Sequence, residues 1–399
     1  MPETATPPPA SVDPTANAGP TAAKADESAE FVVNKQDLLD EITQLQGAID
    51  RKSTIPILNN ILVHAAGQVL QLTATDLDIS IRTSCLAKVG KPGAFTIPAR
   101  KLYDYLRLLP NAEINVKVLA NSWLQLRSGR SHTKMVGLPR TNFPSLPLFP
   151  TDGSLKLESD VLRNLISQTV FAISKEESRY TLNGALLTLK AQSIAMVTTD
   201  GHRLALLEHT KAQTVTQESK ILIPRKALLE MNSLLATFSG EYIQFAENDS
   251  TLFFVIGKRL LTTRRLVGTF PNYEAVLPRD HNNAVVIGRD ELCSAILRVA
   301  QFSDERSNAI RLRFEKNELK LYCSRAEAGE SEDLIPINYT GEPVVMGFNS
   351  HYLLDFLKVV DAEKVRLAFK DPHTASELRP QDPALGEYTY RYVVMPVRI

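Results

Sequence analysis

Val197-Thr198-Thr199-Asp200-Gly201-His202-Arg203-Leu204-Ala205-Leu206 decides the fold, because a degenerate copy, Leu72-Thr73-Ala74-Thr75-Asp76-Leu77-Asp78-Ile79-Ser80-Ile81, lies 124 positions upstream, counted from Asp76 to Asp200. Other landmarks repeat at nearly the same offset. Ile97-Pro98-Ala99-Arg100-Lys101-Leu102 recurs as Ile223-Pro224-Arg225-Lys226-Ala227-Leu228, 126 positions on, and Phe143-Pro144 recurs as Phe270-Pro271, 127 positions on. Three landmarks in step mean an internal duplication.

Each unit opens alike: a short strand, a polar start signal, and a helix with apolar residues three or four apart. The first has Phe31-Val32-Val33, Asn34 as N-cap, then Leu38, Ile42 and Leu45; the second has Leu155 and Leu157, Ser159 as cap, then Leu162, Leu165 and Ile166. A third start is readable at Val285-Val286-Ile287, followed by Leu292, Ile296 and Val299. A second helix recurs midway, led by Leu102, Leu228 and Leu353, 126 and 125 positions apart. Alternating strands lie between, such as Leu77, Ile79 and Ile81, or Ile310, Leu312 and Phe314 before a Lys316-Asn317 turn. Each amphipathic helix needs a sheet face to cover, so the expected class is α+β: three tandem units, each with antiparallel sheets and two helices. Units that expose sheet edges at both ends can bury them against their neighbours, and head-to-tail repetition closes into a ring where the rotation fits.

The expected boundaries are a tail at residues 1–30 and units at 31–150, 151–280 and 281–399. The tail is rich in Pro, Ala and Thr and carries Glu3, Asp13, Asp26, Glu27 and Glu30 against Lys24, a net charge of −4. That composition does not offset the entropy of ordering and predicts disorder. The whole chain of 399 residues balances 45 basic against 45 acidic side chains, so the remainder is mildly basic, at +4. Such balance argues against a protein that grips nucleic acid tightly through its phosphates. Cys85, Cys293 and Cys323 form neither a disulfide framework nor a metal-ligand pair. No apolar run or leader pattern marks a membrane or secretory segment, so a cytoplasmic protein is expected, with no membrane partner.

Asp200 and His202 could mimic an acid–base pair, and a hydrolase using them is the enzyme reading of this stretch. On an extended segment the two would share a face, but no nucleophile or glycine-rich phosphate cradle accompanies them. His64, His132, His209, His281, His351 and His373 are too dispersed for a metal site, and neither metal nor cofactor is expected. The C-terminal run Tyr388 to Ile399 is strand-like and apolar up to its last residue. A chain end of that kind docks instead of fraying.

Four stretches, TTDGHRLAL at 198–206, Arg179-Tyr180-Thr181-Leu182-Asn183-Gly184, FPNYEAVLP from Phe270, and Tyr392-Val393-Val394-Met395-Pro396-Val397-Arg398-Ile399, together resemble the bacterial β sliding clamp family of DNA polymerase III. The likeness runs from about Phe31 to Ile399. It implies a head-to-tail homodimeric ring of six DNA-clamp domains that encircles double-stranded DNA without sequence preference and has no enzymatic activity. Implied partners are the replicative polymerase subunit, an ATP-dependent clamp loader, and other replication and repair proteins carrying a clamp-binding segment; the implied location is the cytoplasm, at the nucleoid.

Carried over by position, the resemblance implies a partner-peptide pocket of Leu182, Thr199, Gly201, His202, Arg203, Leu204, Pro271, Val276, Val393, Met395, Pro396 and Arg398. Aliphatic walls and one adaptable thioether suit a short apolar segment. Ala275 and Val397 depart from an arginine and a methionine common among relatives, which changes the pocket floor. The resemblance further implies that Arg51, Lys52, Arg100, Arg107, Lys175 and Arg225 face DNA. Few, dispersed phosphate contacts let a ring slide, while closure prevents escape. It implies a dimer interface of Arg127, Arg130 and Lys134 against Glu327, Glu330, Glu332 and Asp333, with Phe302 as an apolar anchor. His132 and Thr133 depart from the basic and aromatic residues typical there. Against the ring stands a monomeric clamp-like scaffold that meets partners without encircling DNA.

Overall fold

The computed structural model describes residues 28–50, 54–150, 152–176, 178–210, 215, 218–278, 281–325, 329–381 and 388–398. Among them one element order, strand, helix, four strands, helix, three strands, occurs three times. In the first repeat Glu30–Asn34 leads to α1 (Lys35–Leu45), then Asn60–Ala66, Val69–Thr75, Ile79–Lys91 and Gly93–Pro98, α2 (Ala99–Leu108), then Glu113–Val118, Trp123–Ser128 and Ser131–Val136. The second repeat runs Leu155–Glu158, α3 (Ser159–Thr169), Gly184–Lys190, Ser193–Thr199, Arg203–His209, Ser219–Pro224, α4 (Arg225–Ala236), Tyr242–Glu247, Thr251–Ile256 and Arg259–Arg264. The third runs Asn283–Gly288, α5 (Arg289–Ala300), Ala309–Glu315, Glu318–Arg325, Gly329–Pro336, Val344–Asn349, α6 (Ser350–Val359), Lys364–Phe369, Ser376–Pro380 and Tyr388–Val394.

Local chemistry accounts for these starts and stops. The Asn34 side chain caps α1 by accepting from the Gln36 and Asp37 amides, and Leu38, Ile42 and Leu45 form its buried stripe. Ser159, expected as the cap of α3, is instead its first helical residue. Its hydroxyl donates outside the helix, to the carbonyls of Gly240 and Glu241. Leu77, expected to start an alternating strand, sits in a turn at φ 79°, and the strand begins at Ile79.

Two compact units divide the chain, with the boundaries inside the second repeat. One holds the first repeat and residues 230–265, and its sheet is joined antiparallel where Ile79–Lys91 meets Arg259–Arg264, Ile81 opposite Leu261. Glu41, buried on α1, clasps this joint: its carboxylate accepts from Arg259 Nε and Nη2 at 3.1 and 3.0 Å, from Lys258 at 2.9 Å and from Thr83 at 2.5 Å. Burial would raise its pKa, but the hydrogen bonds from Arg259, Thr83 and Lys258 outweigh burial and hold it below the ordinary glutamate value. Cys85 nearby is pushed up to about 12 by burial and the Glu41 charge, an inert thiol.

The other unit holds residues 160–229 and 266–399. Its eight-stranded sheet is joined where Arg203–His209 pairs antiparallel with Tyr388–Val394, from Arg203 opposite Val394 to His209 opposite Tyr388. Beneath it Phe356 stacks on Tyr392 at 5.0 Å, with Phe171 5.5 Å from the same ring. The rule is the same in both units: the third of the four strands between the two helices of an earlier repeat pairs with the last strand of the next.

Candidate functional site

Thr199 through Arg203 form a tight turn, not an extended segment. The Asp200 carboxylate accepts from the His202 and Arg203 amides at 2.9 and 3.1 Å, and the Thr199 hydroxyl donates to the Arg203 carbonyl at 2.6 Å while accepting from the Gly201 amide at 3.0 Å. Gly201 has φ 89°, where a side chain is strained, and an added Cβ would stand 2.8 Å from Arg179. Asp200 therefore bonds the backbone of His202 and not its ring, which instead stacks on Tyr352 at 6.5 Å. The geometry of an acid–base pair is absent from this turn.

Arg203 turns inward. Its Nε donates to Asp200 at 3.0 Å, Nη1 to Asp355 at 2.7 Å and Nη2 to the Phe171 carbonyl at 2.8 Å, and its charge lies 4.4 Å from the Tyr352 ring centroid. Burial would depress its pKa, but Tyr392, Asp355 and Asp200 raise it above the ordinary arginine value. With every face of the guanidinium engaged, Arg203 fixes the turn from below.

Several of the other residues expected at the pocket pack near this turn. Thr199 lies opposite Leu204, and Leu204 opposite Val393. Leu204 and Val393 share a buried cluster with Phe270, and Leu182 packs against it. The Met395 amide donates to the His202 carbonyl at 2.9 Å, so the apolar chain end is docked on the turn. Met395 is 43% and Val276 55% exposed, and Pro271 and His202 are also exposed. Pro396 is half-buried and Arg398 exposed, while the Val397 amide donates to the Gly347 carbonyl at 2.9 Å.

Several contributors are not legible as site residues in sequence. Leu186, Val197 and Leu206 belong to the same cluster, and strand parity with Leu204 was the available signal. Asp355, Tyr352 and Phe171 carried no signal, since only the fold brings α6 under the turn.

Of the basic residues, Arg100 and Arg107 are exposed on α2, with Arg100 3.7 Å from Asp104 and Arg107 5.6 Å from the Tyr103 ring centroid. Lys175 is exposed, and Arg225 is the half-buried first residue of α4. Arg51, Lys52 and Glu327 lie outside the described residues. Arg127, Arg130 and Lys134 are exposed, Lys134 on the edge strand Ser131–Val136. Glu330, Glu332 and Asp333 lie on the edge strand Gly329–Pro336, where Glu332 pairs with Lys320 and Asp333 with Arg298 at 2.5 Å. Half-buried Phe302 lies 3.7 Å from where a Gly329 Cβ would be.

A thrice-repeated antiparallel domain joined edge to edge, with an apolar chain terminus docked on the turn at 199–203, defines a clamp-type protein. Family models described as the N-terminal, central and C-terminal domains of the DNA polymerase III beta subunit match residues 29–147, 156–272 and 274–398. The beta sliding clamp of Pseudomonas putida is 35% identical over 371 residues, covering 92% of this chain and 100% of the relative; that of Escherichia coli K12 is 33% identical over 372 residues with the same coverage. Crystal structures of the sliding clamps from Pseudomonas aeruginosa and Bartonella birtlesii match with TM-scores of 0.86 and 0.88, each at 32% identity over 93% of this chain and 100% of theirs. The chain belongs to the bacterial β sliding clamp family: it is a non-catalytic DNA polymerase processivity factor, a partner of DNA and of the polymerase.

Proposed function

We propose that two copies of this chain close head to tail into a ring around duplex DNA. The observation that carries this reading is the pairing rule of the joints. The strand Ile79–Lys91 of the first repeat pairs with the last strand of the second, and Arg203–His209 of the second with the last strand of the third. The equivalent strand of the third repeat, Gly329–Pro336, and the last strand of the first, Ser131–Val136, are both sheet edges. Open edges of this kind invite pairing, and a second copy applies the same rule twice and leaves no joint unpaired. The two edges are complementary: Arg127, Arg130 and Lys134 face Glu330, Glu332 and Asp333 across the new joint, exposed Val136 meets exposed Leu334, and Phe302 backs the contact. Complementary charge fixes orientation and partner more than it adds affinity.

Within the ring, residues 31–150, 151–280 and 281–399 act as three clamp domains, and Arg100, Arg107, Lys175 and Arg225 offer DNA weak, non-specific phosphate contacts. The pocket of Leu182, Thr199, Gly201, His202, Leu204, Pro271, Val276, Val393, Met395, Pro396 and Arg398 takes the short apolar segment of the polymerase subunit, the clamp loader and other clamp-binding proteins, with Arg203 holding the turn. The protein works in the cytoplasm at the nucleoid. No described helix is long and apolar enough to cross a membrane.

Sedimentation equilibrium tests the closure. The expected result is a dimer, dissociated by Arg130→Glu with Lys134→Glu and restored when the partner copies carry Glu330→Lys and Glu332→Lys. A monomer at micromolar concentration would establish the open scaffold instead.

A further inference from the structure

The apolar face under the pocket continues beyond it. Cross-strand register sets three rows on one face: Thr199, Leu204 and Val393; then Leu186, Val197, Leu206 and Arg391; then Thr188, Ala195, Glu208 and Thr389. Residues 270–277 cross this face, with Phe270 in the cluster and Tyr273 and Leu277 packed on it. Pro271 and Val276 belong to the pocket already described. Tyr273, Glu274 and Leu277 instead line a cavity of about 280 Å³ floored by Leu206, Ala195 and Glu208.

The charges around this cavity are sorted. Arg391 is engaged by buried Glu377 and by the Pro278 carbonyl at 3.0 Å, and Lys190 is exposed at the end of its strand. Glu208 and Glu274 have no ion-pair partner among the described residues. Tyr273 offers an aromatic face beside them, and its hydroxyl pKa is raised by burial and then by Glu274, Glu208 and Glu218.

The geometry points to a second subsite for the partner peptide, in which a lysine or arginine flanking the apolar segment lays its stem over Ala195 and Leu206 and its charge against Glu208, Glu274 and the Tyr273 ring. This rests on the pocket reading above. Two rows along the strands are about 13 Å, so the basic residue stands about four positions from the apolar anchor in an extended chain. A half-exposed ion pair with a cation–π contact tightens binding about fivefold.

The test uses the full chain and a fluorescent peptide carrying only the apolar clamp-binding segment of the polymerase subunit. It is extended at either end, with Lys, Glu or Ala at the fourth added position. One lysine extension should bind about fivefold tighter than the unextended peptide, while the Ala and Glu versions bind like it. Glu208→Gln with Glu274→Gln should erase the gain and leave the unextended peptide's affinity unchanged. Equal affinity for every extension, preference for Glu, or a gain that survives the double substitution would overturn the subsite and leave the pocket standing. Failure of the unextended peptide to bind would remove both.

Discussion

The turns at residues 75–79 and 199–203 are one construction used twice. In the first, Thr75 donates to the Ile79 carbonyl at 2.8 Å and accepts from the Leu77 amide at 3.0 Å, and Asp76 accepts from the Asp78 and Ile79 amides at 2.9 and 2.8 Å. The second repeats each bond at the equivalent position. Even the left-handed residue is matched, Leu77 at φ 79° for Gly201 at 89°. What differs is the residue that opens the following strand. Ile79 is a buried aliphatic, whereas Arg203 reaches Asp200, Asp355 and Phe171. At the first joint the ionic clasp comes from elsewhere, from Glu41 on α1. The turn thus belongs to the repeat, and in the second copy it is anchored by Arg203 and carries the docked chain end, the features on which the proposed pocket rests.

The largest effects should separate the two clasps. Arg259→Met removes two of the hydrogen bonds to the buried Glu41 carboxylate, leaving those from Lys258 and Thr83, and should cost about 1.5–3 kcal/mol in denaturant unfolding without weakening peptide binding by the intact fraction. Glu41 also sets a pH dependence. Its folded pKa is depressed, so its stabilisation is complete above the unfolded value of about 4.5 and is lost as pH falls through the lower folded value. The melting-temperature gap between wild type and Glu41→Gln should therefore be widest near neutrality and close in acid; a gap that widens on acidification would contradict the clasp. Arg203→Met should cost about 3 kcal/mol and also abolish peptide binding, whereas Ile79→Val should cost about 1 kcal/mol and leave binding intact.

Deleting residues 395–399 removes the Met395 anchor and should weaken peptide binding about thirtyfold, or ~2 kcal/mol, with dimerisation unchanged by sedimentation. Monomerisation on truncation would make the chain end structural. Gly201→Ala should lower stability by about 1–2 kcal/mol, because φ stays positive and Arg179 must move, while Leu77→Gly should fall within about 0.5 kcal/mol of wild type as relief of strain offsets backbone entropy. The smallest contrast is Thr75→Val against Thr199→Val: each loses about 1 kcal/mol, and only the second reduces peptide affinity.

The repeat was legible because its signals are local: Asn34 capping α1, the Leu38, Ile42 and Leu45 stripe, and the paired Thr-Asp motifs at 75–76 and 199–200 all depend on residues close in sequence. The docked chain end was legible too, since an apolar terminus from Tyr388 needs a partner strand. The joints were not, because register between Ile81 and Leu261, or Leu204 and Val393, is set by packing across more than a hundred residues. For the same reason Arg203 read as a contact residue, when Asp355 and Tyr352 hold its side chain inward. Leu77 read as a strand residue because leucine rarely takes a left-handed backbone, and only the bonds from Thr75 and Asp76 impose it.

Retention on DNA tests the central claim most directly. The protein is loaded by an ATP-dependent clamp loader onto nicked circular duplex, washed in high salt, and followed by gel filtration before and after the circle is linearised. A closed ring predicts that the bound protein survives the wash on the circle and is released when the DNA is cut. Equal loss from circle and linear DNA, or equal retention on both, would contradict it.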